Sequence, residues 1–182
     1  MAKVGFTQID LHHSKGVSAV FARRMTVVHT CITLMQKPCL CVKLFKSPTE
    51  PNPKAVIAVK ELKAQLMPEF CSRNVAAIMA DLRKSNMVNS AYFPHEEKGS
   101  LPPGPVVNLH QYQRGRLFLE YLVATDLEIL NRGNESTFQN VLKREVFDLT
   151  LCSRNLVTEI VEWQVSYEPS LSDHRLSSCL PM

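Results

Sequence analysis

The most informative stretch of this sequence runs from position 126 to position 138 and reads Asp126-Leu-Glu-Ile-Leu-Asn-Arg-Gly-Asn-Glu-Ser-Thr-Phe138. Its apolar part, Leu127–Leu130, predicts a short strand, and the Asn-Arg-Gly-Asn run behind it is a turn signal. Two related stretches follow, Arg144-Glu-Val-Phe-Asp-Leu-Thr-Leu-Cys-Ser153 and Glu168-Pro-Ser-Leu-Ser-Asp-His-Arg175. We predict a further strand over Glu145–Leu151, and the last stretch places an Asp and a His side by side.

Outward from this region, strand and helix patterns alternate along the chain. Strands are predicted over Val4–Leu11, Cys31–Met35, Ala55–Val59, Met87–Phe93 and Glu159–Val165. Helices are predicted over Lys15–Val28, with Ser14 as the N-cap, and over Leu117–Ala124. The Asn74–Leu82 segment fits a helix by its Ala content and a strand by its length, and Glu96–Pro105 is predicted as a loop. This alternation indicates an α/β or α+β domain.

Composition excludes several classes of protein. The chain has 182 residues, 45% of them hydrophobic, and a formal net charge of +4, which permits a polyanionic partner without requiring one. No apolar run approaches the roughly 20 residues that span a membrane, and the N-terminus lacks the apolar core of a secretory signal. The six cysteines are too sparse for a disulfide-stapled scaffold. We therefore expect an intracellular protein without a membrane partner.

The three C-terminal stretches, in this order, resemble the endonuclease domain of non-LTR retrotransposons, a member of the endonuclease/exonuclease/phosphatase superfamily. Gln8–Lys15, Leu34–Pro38 and Ser90–Pro94 resemble earlier segments of the same domain. The resemblance implies a four-layer α/β/β/α sandwich over residues 1–176, followed by a tail at 177–182. It also implies Mg²⁺ as the cofactor, DNA as the partner, phosphodiester nicking in the nucleus, and a reverse transcriptase domain that this chain does not contain.

The resemblance also assigns site residues. Asp148 corresponds to the Asp that pairs with the catalytic His, which corresponds to His174, and Asp173 precedes it in the family's Ser-Asp-His motif. Tyr92 matches a Tyr near the scissile phosphate. Asp10 and Asp173 are the candidate Mg²⁺ ligands, because Mg²⁺ prefers hard oxygen donors. A His polarised by an Asp suits charge stabilisation on the phosphate.

The sequence departs from the family at the groups that hold the metal. Lys37 stands where the family has a Glu ligand, and Asp10 stands where it has an Asn. A unit charge pair at 4 Å is worth about 4 kcal/mol at an effective dielectric of 20, so a Lys beside a divalent cation weakens its binding strongly. Lys37 could swing away from the site, or its ammonium could stand in for the cation.

A second departure concerns the family's Asp-x-Asn strand. Val106–Gln113 runs directly into Arg114–Leu122, so we predict a deletion near 112–114 and the loss of an internal strand. Whether the chain is an enzyme is therefore open: the lost groups favour a degenerate, inactive copy over an active Mg²⁺-dependent endonuclease.

Two further interpretations remain. A residual nucleic-acid-binding module would use Arg114, Arg144 and Arg175, although such charges are more commonly solvated surface. A zinc site would draw on a group of His and Cys residues whose spacing matches no standard ligand pattern. These residues are His12, His13, His29, Cys31, Cys39 and Cys41.

Overall fold

The computed structural model describes residues 4–12, 14–27, 30–37, 44–82, 85–92, 116, 119–120, 122–146, 148–158 and 160–181. Helix α1 spans Lys15–Val27, a short helix α2 spans Arg154–Val157, and the described positions between 116 and 124 are helical. None of the described helices is long and apolar enough to cross a membrane. The strands are β1 (Gly5–Asp10), β2 (Thr30–Gln36), β3 (Ala55–Val59), β4 (Ala64–Leu66), β5 (Val75–Asp81), β6 (Ser85–Ala91), β7 (Leu127–Ile129), β8 (Phe138–Gln139), β9 (Arg144–Glu145), β10 (Leu151–Ser153), β11 (Ile160–Val165) and β12 (Ser177–Pro181).

The N-terminal part forms a β1–α1–β2 unit in which β1 and β2 run parallel. Ser14 caps α1 as predicted, because its Oγ accepts a hydrogen bond from the Val17 backbone N–H at 3.3 Å. Val17 and Phe21 turn the buried face of the helix toward the sheet. Parallel pairing brings the carboxyl ends of β1 and β2 to the same edge, so Asp10 and Lys37 meet there.

The main sheet has five strands in the order β11-β12-β1-β2-β3. Strand β12 lies between β11 and β1 and is antiparallel to both. The prediction of a tail at 177–182 was therefore wrong for the described residues 177–181. Ser, Cys and Pro give this segment a weak strand signal, and its pairing with two neighbouring strands determines its conformation.

Two apolar cores separate the layers. Ile9, Met35 and Val56 of the five-stranded sheet pack against α1. On the opposite face, Ile32 and Ile57 pack against a three-stranded antiparallel sheet with the order β4-β5-β6. Helix α1 and the two sheets thus form successive layers of the predicted sandwich. The predicted loop at 96–105, the missing strand and the deletion near 112–114 fall on residues outside the described part of the chain.

Local hydrogen bonds explain two differences from the predicted elements. The ambiguous Asn74–Leu82 segment is the strand β5, paired on both sides. The strand predicted over Glu145–Leu151 is instead divided into the end of β9 and the start of β10. Between them, the Asp148 and Thr150 backbone N–H groups bond to side chains instead of to a neighbouring strand.

Candidate active site

An Asp–His pair forms the centre of the candidate site. His174 Nδ1 lies 2.8 Å from Asp148 Oδ2. Because an ionised carboxylate accepts hydrogen bonds only, the Nδ1 atom carries the proton of this contact. Both side chains are largely buried, with relative exposures of 12% and 15%. The pairing that the resemblance implied between these two residues is present.

Neighbouring polar groups hold the pair in position. The Asp148 backbone N–H donates to Thr137 Oγ1 at 2.8 Å, and Asn131 Nδ2 donates to the Asp148 carbonyl at 2.9 Å. On the other side, the His174 backbone N–H donates to Ser172 Oγ at 3.2 Å. The His174 ring also packs edge-on against Phe138, with 5.1 Å between the ring centroids. The orientation of the imidazole is therefore fixed by contacts with three segments of the chain.

The surroundings of His174 favour its protonated form. Burial is the largest single influence and lowers the pKa of His174, but the hydrogen bond and charge of Asp148 and the charge of Asp10 together outweigh it. Lys37 opposes them by lowering the pKa. The net result is a pKa of His174 above its ordinary value. The imidazolium can then donate from Nε2 to an anionic group in the site.

Asp10 and Lys37 form the second half of the site. Asp10 ends β1 with a side chain only 5% exposed, and its Oδ2 lies 3.0 Å from Lys37 Nζ and 3.8 Å from His174 Nε2. Its Oδ1 accepts the His12 backbone N–H at 2.9 Å. The Lys37 side chain does not swing away from the site, because its ammonium sits on the Asp10 carboxylate. Whether this ammonium stands in for the cation stays a prediction.

The conformation of Lys37 supports this contact. Its φ of 45° lies in the left-handed region that non-glycine residues rarely adopt, and its backbone N–H donates to the Lys54 carbonyl at 2.7 Å. The ammonium also lies 4.9 Å from the centroid of the Tyr92 ring. A contact of this type is worth from about 0.5 kcal/mol at exposed sites to about 2 kcal/mol when desolvated, and the Lys37 side chain is 17% exposed. Tyr92 therefore lies beside Lys37, and its role near the scissile phosphate stays a prediction.

The described residues do not suit a hard divalent cation. Mg²⁺ needs several oxygen donors with little competing positive charge, but Asp10 Oδ2 is already paired with the Lys37 ammonium. The Asp173 side chain is exposed, and its backbone carbonyl accepts the Gln139 N–H. Among the residues that the structure describes, no group of three His, Cys, Asp or Glu side chains could hold a metal ion.

The structure describes only some of the predicted basic and zinc-binding residues. The Arg175 guanidinium donates to the backbone carbonyls of Ser166 and Ser136, and Arg144 is exposed on β9. Arg114 lies outside the described residues. The zinc candidates His13, His29, Cys39 and Cys41 are likewise outside them; His12 is exposed, with its ring 6.1 Å from that of His174.

Two site residues were missed in the sequence. Thr137 is fully buried and supports Asp148, and Asn131 bonds the Asp148 carbonyl and the Thr150 N–H with opposite ends of its amide. Both lie within the Asp126–Phe138 stretch, but the backbone groups to which they bond belong to Asp148 and Thr150, later in the sequence. Their polar side chains next to a strand end were the available signal.

Comparison with solved structures shows a close likeness of fold. The endonuclease domain of TRAS1, a telomere-specific non-LTR retrotransposon, matches with a TM-score of 0.79 and 21% sequence identity, over 98% of this chain and 98% of that one. The chain therefore has the fold of that endonuclease domain, which confirms the predicted fold class. No protein-family model matches the chain, and no curated protein matches it.

Proposed function

We propose that this chain is an endonuclease-type domain of a non-LTR retrotransposon that binds DNA phosphodiesters at the Asp148–His174 pair and hydrolyses them slowly or not at all. The fold likeness and the sequence resemblance support the DNA partner, and such a role belongs in the nucleus. Reverse transcription would depend on a domain in another part of the element.

The retained chemistry is that of charge stabilisation. A phosphate oxygen within reach of His174 Nε2 would accept a hydrogen bond from the imidazolium, while Asp148 holds the ring through Nδ1. Thr137 and Asn131 fix Asp148 through its backbone. These groups are preorganised, so binding a phosphodiester requires little rearrangement.

The proposal of low hydrolytic activity rests on the 3.0 Å contact between Lys37 Nζ and Asp10 Oδ2. When bound, Mg²⁺ in the family supplies a Lewis acid that polarises the phosphate and helps to form the attacking group. An ammonium supplies positive charge but cannot coordinate and activate a water molecule. The residues described here therefore support binding better than hydrolysis.

The test is a nicking assay on supercoiled plasmid with Mg²⁺, with EDTA as the control, for the unaltered chain and the Lys37→Glu and His174→Ala variants. We expect fluorescence anisotropy to show DNA binding in EDTA and the assay to show little nicking by the unaltered chain. EDTA-sensitive nicking by the unaltered chain, abolished in His174→Ala, would instead establish the alternative of an active metal-dependent endonuclease. Absence of DNA binding would refute the proposal.

A further inference from the structure

A groove of about 380 Å³ lies on the other side of the extended segments that carry the Asp–His pair. Arg175 follows His174 and Ser136 precedes Thr137, and the Arg175 backbone N–H donates to the Thr137 carbonyl at 2.7 Å. Since successive residues of extended chain point to opposite sides, these neighbours face away from the pair. The residues that matter for its chemistry are Glu135, Ser136, Arg144, Glu145, Tyr167 and Arg175.

Arg175 makes the groove rigid by joining its two walls. Its Nε and Nη2 donate to the Ser166 carbonyl at 3.2 and 3.1 Å, and its Nη1 donates to the Ser136 carbonyl at 3.4 Å. A guanidinium has five N–H donors. Two of them, one on each terminal nitrogen, have no hydrogen-bond partner among the described residues and remain for a ligand.

Tyr167 presents a fixed aromatic surface in this groove. Arg175 Cζ lies 4.6 Å from the centroid of its ring, and its hydroxyl donates to Glu135 Oε1 at 3.0 Å. The side chain is nevertheless 80% exposed. Contacts at the ring and at the hydroxyl end thus hold an aromatic ring whose surface is mostly open to solvent.

The charges around the ring favour an anion with an aromatic group. Lys143 Nζ lies 2.8 Å from Glu145 Oε2 and neutralises that carboxylate. Arg144 and Arg175 then face Glu135 alone, and Glu135 already accepts the Tyr167 hydroxyl. A stacking surface beside two arginines is the combination that binds unpaired nucleotides, whose bases stack while their phosphates meet positive charge.

From this geometry we infer that the Tyr167 groove binds one unpaired nucleotide of a DNA strand, with its base on the Tyr167 ring and its phosphate at Arg144 and Arg175. The inference rests on the proposed function, because it adds a base-contacting subsite to a domain that engages DNA phosphates. The two proposals differ in the part of the DNA that is bound. The Tyr167 groove is inferred to bind a nucleobase, whereas the Asp148–His174 pair is proposed to contact the phosphodiester backbone of the DNA.

The test compares two fluorescein-labelled 12-mers in EDTA by anisotropy, one of single-stranded deoxyadenosine and one abasic strand with the same phosphates. We expect the unaltered chain to bind the adenine strand more tightly. Tyr167→Ala should weaken that binding about 5- to 150-fold, toward the affinity for the abasic strand, since stacking of one base contributes about 1–3 kcal/mol. Tyr167→Phe, which keeps the ring, should retain most of the affinity. Phe70→Ala, at an exposed aromatic on the 3₁₀ turn at Pro68–Phe70, should leave it unchanged.

Equal binding of the two strands, or no loss of affinity in Tyr167→Ala, would overturn the inference of a nucleotide site in the groove. Either result would leave the proposed phosphate contact intact. Equal losses in Tyr167→Ala and Tyr167→Phe would also overturn it, because the ring would then not be the contact. Absence of binding to either strand or to duplex DNA would refute both proposals. A loss in Tyr167→Ala confined to the adenine strand supports the groove.

Discussion

Removing the Lys37 charge should destabilise the fold, because Lys37 lies on a carboxylate that is almost fully buried. Two unit charges 3.0 Å apart attract by about 5.5 kcal/mol at an effective dielectric of 20. Lys37→Met removes this attraction but also relieves the desolvation of the ammonium, and Asp10 keeps the His12 N–H. We therefore expect a net loss of about 2–3 kcal/mol, somewhat less than for a fully buried pair.

For a chain of this size, that loss corresponds to a fall in Tm of about 4–12 °C, which a thermal melt followed by circular dichroism would measure. Lys63→Met is the matched control, because Lys63 is exposed and the same charge is lost; it should change stability by less than about 0.5 kcal/mol. A Lys37→Met variant as stable as the control would refute the assigned role of the ammonium.

Lys37→Glu extends the same reasoning to magnesium. In EDTA, a carboxylate beside Asp10 should destabilise the fold more than Met does, because like charges then face each other. Mg²⁺ bound between the two carboxylates should restore stability by about 2.7 kcal/mol at a hundredfold excess over Kd. The Tm of the unaltered chain should not respond to the same addition. An equal rise in Tm for both proteins would show that Lys37 does not exclude the cation.

Three other predictions concern the surroundings of the pair. Because the pKa of His174 is raised on folding, its protonation contributes stability below the unfolded pKa of about 6.5, and this contribution is lost as pH rises through the folded pKa. The midpoint of urea unfolding should therefore fall between pH 5 and pH 9. The Asp148→Asn variant should show a smaller fall over the same pH range. Gln36 is buried, and its Oε1 has no hydrogen-bond partner among the described residues, so Gln36→Met should change the free energy of unfolding by less than about 1 kcal/mol or raise it. A loss above about 2 kcal/mol in urea unfolding would contradict this. Thr137→Val should cost about 1–3 kcal/mol in the same assay, because the Asp148 N–H loses its acceptor; an unchanged midpoint would mean that another group replaces it.

The parts of the fold that the sequence predicted well are those determined by local pattern. Ala55–Val59 coincides with β3, and the Ser14 cap begins α1 where expected. In these cases an apolar run or a capping side chain is sufficient. Distant pairing determined the rest: β12 is a strand because β1 and β11 flank it, and the 145–151 segment is broken because its N–H groups bond to Thr137 and Asn131.

The candidate site shows the same division. Resemblance at the Arg144–Ser153 and Glu168–Arg175 stretches was enough to name Asp148 and His174, whose contact is 2.8 Å. The resemblance could not predict whether the Lys37 side chain stays in the site or swings away. Its position depends on a left-handed backbone conformation and on a hydrogen bond to the Lys54 carbonyl across the sheet edge. The groove at Tyr167 was not predicted at all, since its walls come from four separate places along the chain.

The position of β12 has a consequence for how the protein forms in the cell. Phe6 in β1 pairs with Cys179, so the middle of the main sheet joins the earliest and the latest of the described strands to be synthesised. A nascent chain on the ribosome exposes one edge of β1 until that partner emerges, and contacts of such large sequence separation form slowly. His174 comes just before β12, so its contact with Asp148 can form only after the ribosome has added residue 174.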